Sequence, residues 1–436
     1  MALSRRHLLT GLGTAATPVA ARGRVPRQPA EPVPTPAGDP EQVARDEHFW
    51  RTVAQQFRVS EEFTNLENGY YGTMPEPVYR AYLRTTDRLN TLNSHLLRTT
   101  YKAEAEAVRE RIAAVAGVPR EEIALTRGGT EALQNLIGGY NRLRAGDAVM
   151  YADLDYQSMQ TAMNWLRDRR GATIVRIVLP EPATRQAVLD TYTRALHDHP
   201  RVKLLLLSHM NNRTGLVTPV RDIVRAARER GVDVIVDAAH SWGQLDFTIP
   251  DLGVDFAGFS LHKWMHAPLG AGFLHIRKSR LADIDRAFAD EAYPPDDIRS
   301  RVHSGTMDIA PVLSVPAALD FHEALRGAAV KQARLRCLRD RWVRRVQDID
   351  NLEILTPNDP SMYGAITSFR VTGRTSEADN LAIAQYLFDQ HRIFTVRRGG
   401  PAKGDCVRVT PALFTPTDHI DRLCTALRDV AQRFRV

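Results

Sequence analysis

The sequence predicts an α/β protein: a large domain built on a mostly parallel sheet, followed by a smaller α+β unit. Three observations predict it. After residue 101, short apolar runs alternate with amphipathic segments, the signature of strand–helix–strand units. Several of those runs, such as "KLLLLS" (203–208), are apolar on both faces, as strands covered by helices on each side must be. From about residue 312 the pattern changes to long helical periodicity and then to two strand-like stretches around one helix.

The elements follow in order. Residues 1–21, within "MALSRRHLLTGLGTAATPVAARG", place Ser4 before Arg5 and Arg6, then a mildly apolar run ending at Ala20 and Ala21. This resembles a twin-arginine export signal, and a disordered basic tail is the plainer alternative. Export to the periplasm or medium is expected on the first reading and a cytoplasmic place on the second. Residues 22–44 are proline-rich and poor in large apolar side chains, and read as a linker. Residues 45–310 are expected to hold an N-terminal arm and the large domain, and 311–436 the small C-terminal domain. "YKAEAEAVRERIAAVAGV" (101–118) has helical periodicity and stops at a glycine. "EIALT" (122–126), "DAVMY" (147–151), "TIVRIV" (173–178), "KLLLLS", "DVIVDAA" (233–239) and "FAGFS" (256–260) read as strands, with "VRDIVRAARERG" (220–231) a crossover helix. Residues 313–350 read as one or two long helices. "GAITSFRV" (364–371) and "DCVRVTPAL" (405–413) read as strands around the helix "EADNLAIAQYLFDQHR" (377–392).

Composition excludes several classes. With 43% hydrophobic and 25% charged residues the chain is an ordinary globular one. Its net charge of +7 comes from scattered arginines rather than a basic run, so no nucleic-acid partner is expected. Beyond the N-terminus there is no apolar stretch long enough to span a membrane. Cys337, Cys406 and Cys424 have no metal-like spacing, so neither a metal nor a disulfide framework is expected. There is no Walker loop, and "GAGFLHI" lacks the strand–Gly–helix context of a dinucleotide fingerprint.

The chemistry concentrates around "GFSLHKWMHAPLGAGFLHI" (258–276), where Lys263 stands among apolar residues. A lysine in such company is often there to react, because burial lowers its pKa and frees a neutral amine. Ligands gather at the carboxyl ends of parallel strands. There "EIALT" delivers Gly128, Gly129 and Thr130 at the start of a helix, an anion site suited to phosphate. "KLLLLS" delivers Asn211 and Asn212, "DVIVD" delivers Asp237 with His240 beyond it, and "FAGFS" delivers Ser260, His262 and Lys263.

In order and spacing these residues resemble the class-V aminotransferase family of pyridoxal phosphate (PLP) enzymes, over roughly residues 60–430. The match "S-x-H-K-x6-G-x-G" at 260–272, with Asp237 upstream, carries the resemblance; Leu261 departs from the small residue usual there and is expected to crowd the phosphate side. The resemblance implies the PLP-dependent transferase fold type I, with a seven-stranded sheet. It implies that Lys263 forms an imine with PLP and serves as base at the substrate Cα, while Asp237 pairs with the pyridine nitrogen. It assigns Gly129, Thr130, Ser260 and His262 to the phosphate, Asn212 to the ring hydroxyl, His240 to a polar position beside the ring and Tyr156 to its face. "HSGTMD" (303–308) matches a segment that reaches the neighbouring subunit's phosphate, so Gly305 and Thr306 imply a homodimer with shared sites. Arg408 matches the arginine that clamps the substrate carboxylate, and Arg397 a second arginine, with Arg398 one residue away. Asn68 and Tyr70 enter as substrate-side candidates, although Tyr70, like Tyr71, Asn211 and Arg213, also suits a structural role.

"LENGYYGTMP", "DYQSM" and "HSGTMD" look most like the isopenicillin-N-epimerase branch, whose exported members include a tailoring enzyme of the siderophore pyoverdine. The resemblance therefore implies a PLP-dependent enzyme acting at Cα of an amino-acid moiety in secondary-metabolite tailoring, by epimerisation or oxidative decarboxylation. An aminotransferase and a non-catalytic binding protein that keeps the fold are the alternatives. Cysteine desulfuration is discounted, because Cys406 lies just before Arg408 rather than in a mobile loop and is expected to be buried.

Overall fold

A computed structural model describes residues 33–288, 291–303 and 305–436. The expected signal, and the linker up to residue 32, lie outside the described residues. The large sheet has seven strands: β1 (Ile123–Thr126), β2 (Ala148–Ala152), β3 (Thr173–Ile177), β4 (Val202–Ser208), β5 (Asp233–Asp237), β6 (Phe256–Ser260) and β7 (Gly272–Ile276). Their order across the sheet is β1-β7-β6-β5-β4-β2-β3. Pairings from β3 through to β6 are parallel, and β7 runs antiparallel to both β1 and β6. The α/β class and the mostly parallel sheet are thus as the sequence predicts. Every strand of this sheet read from the sequence forms within two residues of its expected ends, whereas the C-terminal readings 364–371 and 405–413 shrink to Thr367–Val371 and Cys406–Val409. In this sheet the one the sequence reading left out is β7, whose "GFLHI" is a five-residue run directly after a glycine turn. A run that short does not distinguish a strand from a loop.

Two-sided burial explains the unbroken apolar runs. Leu204, Leu205, Leu206 and Leu207 of β4 are all fully buried, with alternate residues entering the two core layers. The helix Val220–Arg228 buries Val220, Ile223, Val224 and Ala227, one stripe at helical spacing.

The C-terminal unit holds a second sheet, β8 (Leu352–Ile354), β9 (Thr367–Val371), β10 (Val396–Arg398) and β11 (Cys406–Val409), antiparallel in the order β10-β11-β9-β8. Helices Ala328–Val346, Glu377–His391 and Thr417–Arg433 close a core around Trp342, Phe369, Val407 and Leu427. Residues 313–350 form two main helices, Val315–Ala324 and Ala328–Val346, parted at Arg326 and Gly327, which both take positive φ.

The arm begins earlier than the sequence suggests. Pro40–Arg45 is helical, so the linker expected to reach residue 44 gives way to structure at 40. Asp39 caps this helix through the Gln42 N–H, Pro40 opens it, and Val43 and Ala44 are buried. Farther along, Thr64–Asn65 pairs in parallel with Ile393–Phe394, and the Gly72 N–H donates to the His262 carbonyl at 2.7 Å. The arm is thereby laid over the Lys263 loop. None of the described helices is long and apolar enough to cross a membrane.

Candidate active site

At the carboxyl edge of the large sheet lies a cavity of about 540 Å³, within the usual range for a small-molecule site. Register builds it. Ser208 of β4 stands opposite Asp237 of β5, Asp237 opposite Gly258 of β6, and Ser260 opposite Gly272 of β7. The strand ends therefore deliver their polar residues side by side. Lys263 follows β6 in the loop; its flanking residues Leu261, Trp264 and Met265 are buried in the cores, and it reaches the cavity. The apolar neighbours anchor the loop. Leu261 does not line the cavity, so the crowding of the phosphate side expected from it does not arise.

Lys263 Nζ lies 3.0 Å from His240 Nε2. Burial lowers the amine to about 8; Asp237 opposes that shift, and Arg408 and Arg398 add to it. Burial, reinforced by the Lys263 charge, also holds His240 well below the usual imidazole range. Asp237 ends β5 nearly buried, and its Oδ1 accepts the Ala239 N–H at 2.9 Å. Burial raises its carboxyl, while the Ala239 N–H and Lys263 pull the other way. Such a carboxylate gains from a cationic partner in the cavity.

Opposite the lysine, the helix Gly129–Gly139 points its N-terminus at the cavity, and the Gly129 N–H donates to Ser260 Oγ at 3.1 Å. Closeness demands the glycines here. A Cβ on Gly129 would lie 2.9 Å from Ser260 Oγ, and one on Gly272 would lie 2.5 Å from Gly128 Cα. Thr130 and His262 complete this end, with burial taking His262 down to about 4. Asn212 Oδ1, His240 Nδ1 and His262 Nδ1 are buried and lack hydrogen-bond partners, and all three residues line the cavity. A glycine cradle at a helix N-terminus, a buried carboxylate, a desolvated amine and three unpartnered polar atoms fit PLP. Tyr156 and Tyr70 line the same cavity, and both are exposed.

Arg397, Asn68 and Arg408 sit differently from their expected roles. Arg397 is turned away from the main cavity, ion-paired with Asp405 and, at 3.0 Å, with Glu377; it meets only a shallower neighbouring hollow. Side chains alternate along β10, so it is Arg398 that lines the cavity. Asn68 is structural: its Nδ2 donates to the carbonyls of Asn65 and Thr410, and it is not among the cavity walls. Gly305 and Thr306 line a separate cavity of about 500 Å³ beside Tyr293 and Arg299. Arg408 does line the main cavity, but its guanidinium already donates to Glu67 and to the Asn212 carbonyl. Cys406 is fully buried, and burial pushes its thiol up to about 11.

The sequence reading passed over Gln134, Ser208 and Met210, which complete the wall, and Asp155 and Glu67, which bond to residues of the wall. Asp155 accepts the N–H groups of Ala152 and Ser208 at 2.7 and 2.9 Å, tying the tips of β2 and β4 together; burial raises it to about 7. Its signal was present in "DLDYQSM", next to Tyr156.

Residues 74–399 match the aminotransferase class-V family. The chain belongs to that family. Its cofactor is pyridoxal 5'-phosphate. Among curated relatives it is 28% identical to isopenicillin N epimerase of Streptomyces clavuligerus, over 87% of this chain and 97% of that one. It is 26% identical to a probable cysteine desulfurase of Methanothermobacter thermautotrophicus, over 88% and 99% respectively. Among solved structures, the apo cysteine desulfurase of Thermococcus onnurineus NA1 superposes with a TM-score of 0.75 at 20% identity, over 88% of this chain and 98% of that one. At that identity the likeness concerns the fold, type I of the PLP-dependent enzymes.

Proposed function

We propose that this class-V enzyme moves a proton at the Cα of an amino-acid moiety in a natural product, with epimerisation as its reaction. The observation that carries the proposal is the Lys263–His240 pair: an amine brought to about 8 by burial, 3.0 Å from an imidazole kept neutral. An amine of that strength takes up and returns protons near neutral pH, and His240 fixes its position. Bound PLP supplies an electron sink that acidifies the Cα–H bond. Asp237 would hold the ring nitrogen protonated, Asn212 would meet the ring hydroxyl, and Tyr156 would cover the ring. Gly129, Thr130, Ser260 and His262 would hold the phosphate. The cavity mouth is rimmed by Tyr70 and Leu269, 73% and 56% exposed, which leaves room for a substrate larger than a free amino acid.

Oxidative decarboxylation with dioxygen as oxidant is the second reading, favoured by one observation. Arg408 is engaged by Glu67, so a substrate carboxylate is not gripped by two arginines at once and is freer to depart as CO2. Holoenzyme incubated in D2O with D- and L-amino acids and their peptides separates the two. Deuterium entering Cα with inversion is the expected result. Oxygen uptake and CO2 release without exchange would move the assignment to the second reading, and conversion of the cofactor to its amine form with a keto acid product would make the protein an aminotransferase.

Two further parts belong to the proposal. Gly305 and Thr306, away from the Lys263 cavity of their own chain, would serve a second copy in a homodimer, which light scattering checks. The paired Arg5 and Arg6 would direct export, and replacing both by lysine should retain the protein in the cytoplasm.

A further inference from the structure

Glu67 is not a wall of the Lys263 cavity but lines a neighbouring hollow with Arg398, its side chain 7% exposed, on a segment fixed to β11: the Thr410 N–H donates to the Leu66 carbonyl at 2.7 Å. Its carboxylate meets two arginines. Both oxygens contact Arg408 Nη2, Oε2 at 2.7 Å, and Oε1 lies 3.3 Å from Arg398 Nη2. Arg408 Nη1 donates to the Asn212 carbonyl at 2.6 Å. The backbone of Gly69 packs against the same guanidinium, where a Cβ would come within 2.8 Å of Nη2. Both terminal nitrogens of Arg408 thus have protein acceptors, and its side chain is 1% exposed. Both arginines line the cavity and have an Nε without a hydrogen-bond partner, but Arg398 is 26% exposed and only one of its terminal nitrogens meets Glu67, at 3.3 Å.

Two guanidiniums and one carboxylate leave one net positive charge, and the more exposed arginine presents it to the cavity. A substrate carboxylate seeking a two-pronged grip on Arg408 would have to displace Glu67, leaving a buried charge poorly paired, which is costly. We propose that Glu67 determines specificity by withdrawing Arg408 from the substrate, so that the site takes an amino-acid moiety whose single carboxylate is held by Arg398. This rests on the PLP reading only for its readout.

The test is a titration of the holoenzyme, followed by the absorbance of its bound cofactor, with L-alanine and with ethylamine, which lacks the carboxylate. The ratio of the two apparent dissociation constants isolates carboxylate recognition. Arg398→Gln should shrink the preference for alanine about tenfold, the loss of one charge-assisted contact. Glu67→Gln should enlarge it about tenfold by releasing Arg408, and adding Arg408→Gln to that variant should cancel the gain. Glu67→Asp, which shortens the reach to Arg408, should move the preference the same way to a smaller extent and serves if Glu67→Gln melts early. A preference that falls or stays unchanged in the Glu67 variants, or that Arg408→Gln alone weakens as much as Arg398→Gln, overturns the assignment. Failure of the PLP reading is distinguishable, because the wild-type protein would then show no cofactor absorbance to titrate.

Discussion

At the scale of single residues, Lys263 shows how a fold makes an amine reactive without an unusual neighbour. Withdrawal from water lowers it to about 8, and the Asp237 carboxylate stops it falling further. Only the neutral amine attacks an aldehyde, so uptake of pyridoxal 5'-phosphate by the cofactor-free protein should accelerate as pH rises through 8 and level off above it. Stopped-flow absorbance measures this, and a rate still climbing steeply above pH 10 would mean an unperturbed lysine. Lys263→Arg should leave no covalently held cofactor after borohydride treatment. Lys263, Asp237 and the Gly128–Thr130 turn were legible in sequence because each ends a recognisable strand or opens a helix. Glu67 was not, since its partners Arg408 and Arg398 lie over three hundred residues away along the chain.

At the scale of elements, the decisive placement is the arm across the Lys263 loop. The Gly72 N–H holds the His262 carbonyl, and a Cβ on Gly72 would lie 2.0 Å from the Lys263 carbonyl oxygen. Gly72→Ala must push the two segments apart. It should cost about 1–3 kcal/mol of stability and lower cofactor occupancy, read by thermal melting and by the cofactor absorbance of the purified variant; unchanged occupancy would show that the arm does not position the loop. Long periodic helices such as 101–118 and two-sided strands such as 203–208 were readable because burial imposes their pattern directly. The strand β7 and the helix Pro40–Arg45 were harder. One is a short run beside glycines, and the other is a single capped turn-and-a-half inside a proline-rich stretch.

At the scale of the whole molecule, the fold stores acid sensitivity. Burial takes His209, His262 and His275 down to about 4 and His266 to about 3. The unfolded chain binds protons at these four imidazoles near pH 6.5, whereas the folded chain refuses them until pH 3–4. Stability therefore falls as pH drops from about 6.5 towards 4. Urea midpoints at pH 7, 5.5 and 4.5 should decrease steadily, and His266→Phe, which removes the most strongly shifted of these four, should flatten the slope. A midpoint independent of pH over that window would count against burial as the cause.

The sequence by itself determined the α/β architecture, the strand ends that carry polar residues and the lysine set among apolar neighbours at their edge. These follow from local periodicity and from residue types placed where strands stop. Tertiary structure alone decided which arginine faces the cavity, and that Arg408 arrives there already paired. Alternation along a three-residue strand turns on a single position, and an ion pair joining the arm to the C-terminal sheet exists only once the chain has brought its distant ends together.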